Sequence, residues 1–136
     1  MTADPPAAGI LDTSVFIADE SGRQLETSLI PEEVATTVVT LAELNAGVLA
    51  ARTSEIRARR LRTLDAVADM AVLPIDEDTA QLCALLRVHL AEAGRRVRVN
   101  DLWIAAIAAS RQLPVVTQDD DFDALAGVAG LAIIRV

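Results

Sequence analysis

Short apolar runs alternate with longer amphipathic segments along the chain. The apolar runs are rich in β-branched and aliphatic residues and predict buried strands at 9–12, 34–39, 72–75, 114–117 and 131–136. The amphipathic segments predict helices after residue 12 and at 40–49, 53–70, 76–94 and 101–111. Strands that alternate with helices are joined by right-handed crossovers, which gives a mainly parallel sheet covered by helices. We therefore predict an α/β fold, a three-layer α/β/α sandwich.

Polar residues mark several predicted helix starts. Thr13 and Ser14 are expected to offer their hydroxyls to the free amides of the helix that follows the first strand. Thr40 and Glu43 have the spacing of a capping box, in which Glu43 returns a hydrogen bond to the Thr40 amide. Asn100 is expected to cap the last helix.

Length and composition indicate one globular domain. The chain has 136 residues, of which 52% are hydrophobic and 24% charged, so it is too apolar to be disordered. We expect residues 1–136 to form a single domain, with 1–8 as a flexible tail. The apolar stretches 104–109 and 125–134 are too short to span a membrane, and the first residues lack a signal-peptide pattern. The expected location is the cytoplasm, with no membrane partner.

The charged and sulfur-containing residues exclude several kinds of chemistry. The chain has no lysine, and its twelve arginines and twenty acids give a net charge of −8. A catalytic lysine is therefore excluded, and bulk attraction to nucleic acid is not expected. Cys83 is the only cysteine and His89 the only histidine, so a disulfide, a zinc finger or a multi-histidine metal site is excluded. Any metal would have to be a hard cation held by carboxylates.

Four acidic residues are predicted to meet at one edge of the sheet. Asp12 and Asp119 follow strands, Glu43 lies one turn past another strand, and Asp101 lies at the start of a helix. The ligand crevice of an open parallel sheet lies beyond the carboxyl ends of its strands. Two carboxylates about 4 Å apart repel by roughly 4 kcal/mol at an effective dielectric of about 20. The set therefore favours Mg²⁺ or Mn²⁺, and phosphodiester hydrolysis is the chemistry that such sites commonly perform.

Three of these four residues also have a simpler interpretation, whereas the charge of Asp12 directly after an apolar run is harder to explain by solubility. Glu43 could serve only in the capping box, and Asp101 could only complement a helix dipole. Asp119 could belong to a solvated turn. The arginines that precede the last helix could hold phosphates beside the acids or form a solvated loop; they are Arg95, Arg96 and Arg98.

Four sequence blocks together resemble the signature of PIN-domain nucleases. The blocks are LDTSVFI at 11–17, TLAEL at 40–44, NDLWIAA at 100–106 and VTQDDDF at 116–122. They occur in order across essentially the whole chain, and the pattern is most similar to the VapC toxins of bacterial toxin–antitoxin pairs. Each block alone would be weak evidence.

This resemblance implies a metal-dependent endoribonuclease with a metal-activated water as nucleophile and Mg²⁺ as cofactor, for which Mn²⁺ can substitute. It implies that the metal and catalytic acids are Asp12, Glu43, Asp101 and Asp119. It places Asp121 as a further acid beside the metal, with Ser14 and Thr117 orienting the carboxylates and Asn100 supporting the site. It also implies RNA contacts by the arginines that precede the last helix.

The resemblance further implies a VapB-type antitoxin partner, whose C-terminal segment packs in a groove and places a basic side chain near the acids. A homodimer is also expected. Two alternatives stay open, namely a non-catalytic PIN-fold binding module and a PIN nuclease of RNA processing without an antitoxin. Phosphotransfer receivers and haloacid-dehalogenase-type phosphatases have a similar layout, but each uses a lysine that this chain lacks.

Overall fold

The structure, a computed structural model, describes residues 6–136. These residues form five strands: β1 (Ala8–Leu11), β2 (Glu33–Thr37), β3 (Ala71–Leu73), β4 (Val115–Thr117) and β5 (Ile133–Arg135). They also form five α-helices: α1 (Thr13–Glu20), α2 (Val38–Leu49), α3 (Ser54–Val67), α4 (Glu77–Glu92) and α5 (Val99–Arg111). Single 3₁₀ turns occur at Thr27–Leu29, Asp123–Leu125 and Val128–Gly130.

All five strands in the described part of the chain run parallel, in the order β3-β2-β1-β4-β5. The first strand is therefore central, and the chain builds the sheet outward from it in both directions. The strand order reverses between β1 and β4, and this switch point is where α/β sheets bind ligands. The predicted parallel α/β fold is confirmed, and the sheet order places the carboxyl ends of β1 and β4 side by side.

Alternating residues of the central strands contact two different hydrophobic layers. Ile10 of β1 and Val115 of β4 pack with α4 and α5, whereas Leu11 and Val116 pack with α1 and α3. This alternation follows from the two-residue period of a strand. Helix α5 lies deepest, and every side chain from Ile104 to Ala108 is fully buried. Its start therefore has a fixed position beside the carboxyl edge of the sheet.

The second strand ends earlier than the sequence predicts. Strand β2 ends at Thr37, and α2 begins at Val38 because the Thr37 hydroxyl accepts a hydrogen bond from the Thr40 amide at 3.1 Å. Val38 and Val39 are therefore helical, although β-branched residues favour strands. The predicted capping box is wrong, since the amide that Glu43 would have satisfied already has a partner.

The start of the last helix and the end of the N-terminal tail differ from their predicted positions by a few residues. Helix α5 begins at Val99 with Arg98 in the capping position and no side-chain cap, so the predicted cap by Asn100 is wrong. Of the expected tail 1–8, Ala8 begins β1, and the Ala7 carbonyl accepts from the Glu33 amide at 3.1 Å. Residues 1–5 of that tail lie outside the described residues. Within 6–136, no helix is long and apolar enough to cross a membrane.

Candidate metal centre

Asp12 is held at the end of β1 by two hydroxyl groups. Its side chain is buried, with 3% of the residue exposed. The Ser14 hydroxyl donates to Oδ1 at 2.7 Å, and the Thr117 hydroxyl donates to Oδ2 at 3.1 Å. Both carboxylate oxygens of Asp12 therefore have a defined partner, and its orientation is fixed.

The same two hydroxyls bind the loop that follows β4. The Gln118 amide donates to the Ser14 hydroxyl at 2.9 Å, and the Asp119 amide donates to the Thr117 hydroxyl at 3.1 Å. The two hydroxyl oxygens lie 3.2 Å apart. This network connects β1, α1 and the loop after β4, so the backbone of Asp119 is positioned relative to Asp12.

Glu43 accepts a hydrogen bond from the hydroxyl of Thr13, which the sequence pattern assigns to a helix start. The Thr13 hydroxyl donates to Glu43 Oε1 at 2.9 Å and lies 3.1 Å from the hydroxyl oxygen of Thr40. The helix-start role predicted for Thr13 and Ser14 is wrong, because Asp12 occupies the capping position of α1 and no side chain caps it. Both hydroxyls contact carboxylates instead. Two hydroxyl residues directly after a buried aspartate were the signal in the sequence.

Burial and neighbouring charges raise the pKa values of two aspartates. Burial raises the pKa of Asp12 from 3.8 to about 7, although the hydrogen bonds from Ser14 and Thr117 lower it, and the charges of Asp119 and Asp101 raise it further. Half-burial of Asp101 raises its pKa from 3.8 to about 6, with further increases from nearby carboxylates. These carboxylates are Asp121, Glu43 and Asp119.

Asp101 is therefore at the centre of the acidic cluster. It senses the charges of Glu43, Asp119 and Asp121, and it also raises the pKa of Asp12. Arg98 opposes these effects and lowers the pKa of Asp101. These mutual charge effects indicate that the five acids lie near one another at the carboxyl edge of the sheet.

The donor chemistry of this crevice fits a hard divalent cation. Its ligands are carboxylate and hydroxyl oxygens, which Mg²⁺ and Mn²⁺ prefer, and a cation would offset the mutual repulsion of the acids. Within residues 6–136, no three acidic, histidine or cysteine side chains converge closely enough to enclose an ion. The acids therefore lie near enough to influence one another's pKa values without forming a closed metal cage.

The arginines that precede α5 lie beside the acidic crevice. Arg95, Arg96 and Arg98 are exposed, and together with Asp120 and Asp121 they line a polar cavity of about 380 Å³. Asn100 is exposed in the first turn of α5. The positive charges of this loop thus face the outer rim of the acidic cluster.

A second crevice opens on the other side of Glu43, between α1, α2 and α3. It has a volume of about 230 Å³ and is lined by Ile17, Leu44 and Gly47 together with Glu43. Ile17 is 47% exposed, so this crevice presents apolar surface next to a carboxylate. The acidic cluster is therefore accessible from two sides.

Comparisons with known proteins agree with this fold. The PIN domain family matches residues 9–128. Ribonuclease VapC5 of Mycobacterium tuberculosis is 72% identical over 131 residues, which cover 96% of this chain and 97% of that protein. Ribonuclease VapC4 of the same organism is 40% identical over 91% of this chain and 95% of its own length.

A solved structure is similar over nearly the whole chain. The crystal structure of VapBC-5, a member of the VapBC family of toxin–antitoxin systems from Mycobacterium tuberculosis, contains a chain that superposes with a TM-score of 0.91. That chain is 69% identical, and the match covers 96% of this chain and all of that one, 100%. The family match, the two curated relatives and the shared fold together show that this chain belongs to the PIN domain family, among the VapC proteins.

Proposed function

We propose that this protein is a divalent-metal-dependent endoribonuclease and the toxin of a VapBC-type toxin–antitoxin pair. The observation that carries the proposal is the cluster of five acids at the switch point of the sheet, around a buried Asp12 whose two oxygens are both held by hydroxyls. Its similarity to Ribonuclease VapC5 supports RNA as the substrate. With cellular RNA as its substrate, the protein is proposed to act in the cytoplasm.

The residues proposed to hold the cation are Asp12, Glu43, Asp101 and Asp119, with Asp121 next to them. A bound Mg²⁺ or Mn²⁺ would lower the pKa of a water ligand and neutralise charge on the scissile phosphate. The proposed mechanism has no covalent intermediate with the protein, and the absence of lysine and the burial of Cys83 in the core agree with it. The protein supplies oriented carboxylates and a binding surface for RNA.

Orientation of the carboxylates is the contribution of the hydroxyl network. Ser14 and Thr117 prevent Asp12 from rotating away from the crevice, and Thr117 also holds the backbone of Asp119. Partners of this kind typically alter metal affinity or activity by about 10- to 100-fold when they are removed. We assign Ser14 and Thr117 this supporting role, and Asn100 is placed next to Asp101 at the start of α5.

The arginine loop is proposed to bind RNA phosphates. The protein is acidic overall, so its attraction for RNA must be local rather than global. Arg95, Arg96 and Arg98 form a basic rim beside Asp120 and Asp121. Phosphates bound on this rim would place the adjoining phosphodiester over the acidic cluster.

The crevice beside Glu43 is proposed to receive a VapB-type antitoxin. Ile17 and Leu44 offer apolar contacts, and Glu43 offers a carboxylate to a basic side chain. The matched VapBC-5 structure is described as a toxin–antitoxin system. An antitoxin segment in this crevice would block access to the acids.

The test is cleavage of total RNA by the purified protein with Mg²⁺ or Mn²⁺, against an EDTA control. Asp101→Asn removes one charge from the cluster and should abolish cleavage, while Asp69→Asn removes an exposed charge in the turn after α3 and should leave cleavage intact. Circular dichroism should show both variants folded. Cleavage that is unaffected by EDTA or by Asp101→Asn would refute the proposed site. A folded protein that neither binds Mn²⁺ nor cleaves RNA would favour the non-catalytic binding module.

A further inference from the structure

Thr13 connects two acids of the cluster, Asp12 and Glu43. It follows Asp12 directly and begins α1, and its hydroxyl lies 2.9 Å from Glu43 Oε1. It also lies 3.1 Å from the hydroxyl oxygen of Thr40, which is fully buried. The contact therefore joins α1 to α2 inside the candidate metal centre.

Glu43 depends on an external partner for its orientation. A glutamate side chain has three rotatable bonds, and Glu43 is half-buried on α2. Its other local partner would be the Thr40 amide, but the Thr37 hydroxyl already accepts from that amide at 3.1 Å. The Thr13 hydroxyl is thus the hydrogen-bond donor that holds the Glu43 carboxylate.

Thr13 is itself well fixed. Its β-branched side chain has restricted rotation in a helix, and its contact with the buried Thr40 sets the direction of the hydroxyl. A hydroxyl with a fixed direction on Oε1 restricts the rotation of the Glu43 carboxylate, whose charge raises the pKa of Asp101.

We propose that Thr13 is a positioning residue that orients Glu43 for cation binding, on the side of the crevice that Ser14 and Thr117 do not reach. This inference rests on the proposed metal-dependent function. Ser14 and Thr117 orient Asp12, and Thr13 orients Glu43 in the same way, through a hydrogen bond to its carboxylate. The competing interpretation is that the bond only ties α1 to α2 and contributes to stability.

The test compares Mn²⁺ binding by the full chain, measured by EPR, in the wild type and in Thr13→Val, Thr13→Ala and Thr13→Ser. The matched control is Thr63→Val, because the Thr63 hydroxyl donates to Glu20 Oε1 at 2.8 Å and forms the same kind of bond between α3 and α1. Urea unfolding in EDTA accompanies each variant. Cleavage of one RNA substrate is then measured as a function of Mn²⁺ concentration.

Thr13→Val and Thr13→Ala should raise the Kd for Mn²⁺ and the Mn²⁺ concentration for half-maximal cleavage by roughly tenfold or more. Cleavage at saturating Mn²⁺ should recover toward the wild-type rate. Thr13→Ser retains the hydroxyl and should stay within about threefold of the wild type, and Thr63→Val should not change the Kd at all. If Thr13→Val disturbs the fold, Thr13→Ala still tests the proposal, because alanine only shortens a half-buried side chain.

Two outcomes would be adverse, and they are distinguishable. A wild-type protein that binds no Mn²⁺ would overturn the proposed metal site and this inference with it. If the wild type binds Mn²⁺ and both Thr13→Val and Thr13→Ala bind it with the same Kd, only the role of Thr13 would be overturned, and the proposed metal site would stand. A loss of stability in Thr13→Val without a change in Kd belongs to this second outcome, because a purely structural tie predicts it.

Discussion

The buried carboxylate of Asp12 should destabilise the metal-free protein at high pH. Its pKa is about 7 in the folded protein, against 3.8 in the unfolded chain. A group whose folded pKa is raised binds protons more tightly in the folded state, so its stability contribution is complete below pH 4 and is lost as pH rises toward 7. At pH 8 this difference corresponds to a penalty of about 4 kcal/mol.

The substitution Asp12→Asn removes this charge at nearly constant volume. The asparagine oxygen can still accept a hydrogen bond from Ser14. Its amide nitrogen, however, would face the Thr117 hydroxyl, which in the wild type donates to Asp12, and the loss of that hydrogen bond costs about 1 kcal/mol. The variant should therefore be more stable than the wild type by about 3 kcal/mol at pH 8. At pH 5 Asp12 is mostly protonated in the folded state and ionised in the unfolded chain, which leaves a penalty of about 1.7 kcal/mol. Because the lost hydrogen bond costs the variant about 1 kcal/mol, the two should then differ by less than about 1 kcal/mol.

Urea unfolding followed by circular dichroism at pH 5 and pH 8, in EDTA, measures this difference. Asp69→Asn, which removes an exposed charge, should stay within about 0.5 kcal/mol of the wild type at both pH values. An Asp12→Asn variant that is less stable than the wild type by the same amount at both pH values would refute the reasoning. A gain in stability combined with loss of RNA cleavage would show that Asp12 is retained for function at the expense of stability.

Three further predictions follow from the site and the fold. Mg²⁺ or Mn²⁺ should raise the Tm of the wild type more at pH 8 than at pH 5, because protons compete with the cation for the acids. Neither cation should raise the Tm of Asp12→Asn, and scanning fluorimetry measures both effects. Thr37→Ala should lower the free energy of unfolding by about 1 kcal/mol through loss of the α2 cap, and an unchanged urea midpoint would contradict this. Arg95→Gln and Arg98→Gln should raise KM for RNA and weaken its dependence on salt concentration, and salt-independent binding in the wild type would exclude the phosphate contacts.

The sequence alone determined the order and type of the main elements. Strand-like and helix-like periodicities depend on local side-chain patterns, so five strands and their intervening helices were recognisable from the printed residues. The position of Asp12 directly after an apolar run, and of Asp119 shortly after another, identified the edge of the sheet where the acids lie. Four blocks of residues identified the family because they occur in order between residues 11 and 122, and the PIN domain family matches residues 9–128.

Helix starts were the least predictable local feature. Residues Val38 and Val39 have strand-forming side chains, yet the cap by Thr37 and burial of Val39 in the core place them in α2. The capping box of Thr40 and Glu43 failed for the same reason, because an earlier hydroxyl had already satisfied the amide. Competing caps of similar energy are decided by packing, which local patterns do not contain.

Tertiary structure decided the sheet order and the partner of each hydroxyl. The bonds from Thr13 to Glu43 and from Thr117 to Asp12 join residues 30 and 105 positions apart, and only the arrangement of strands brings them together. The raised pKa of Asp12 depends equally on the fold, since burial is a property of everything packed around the group. A sequence can show which residues are able to hold a cation, but the hydrogen bonds that orient them arise from contacts that no local pattern encodes.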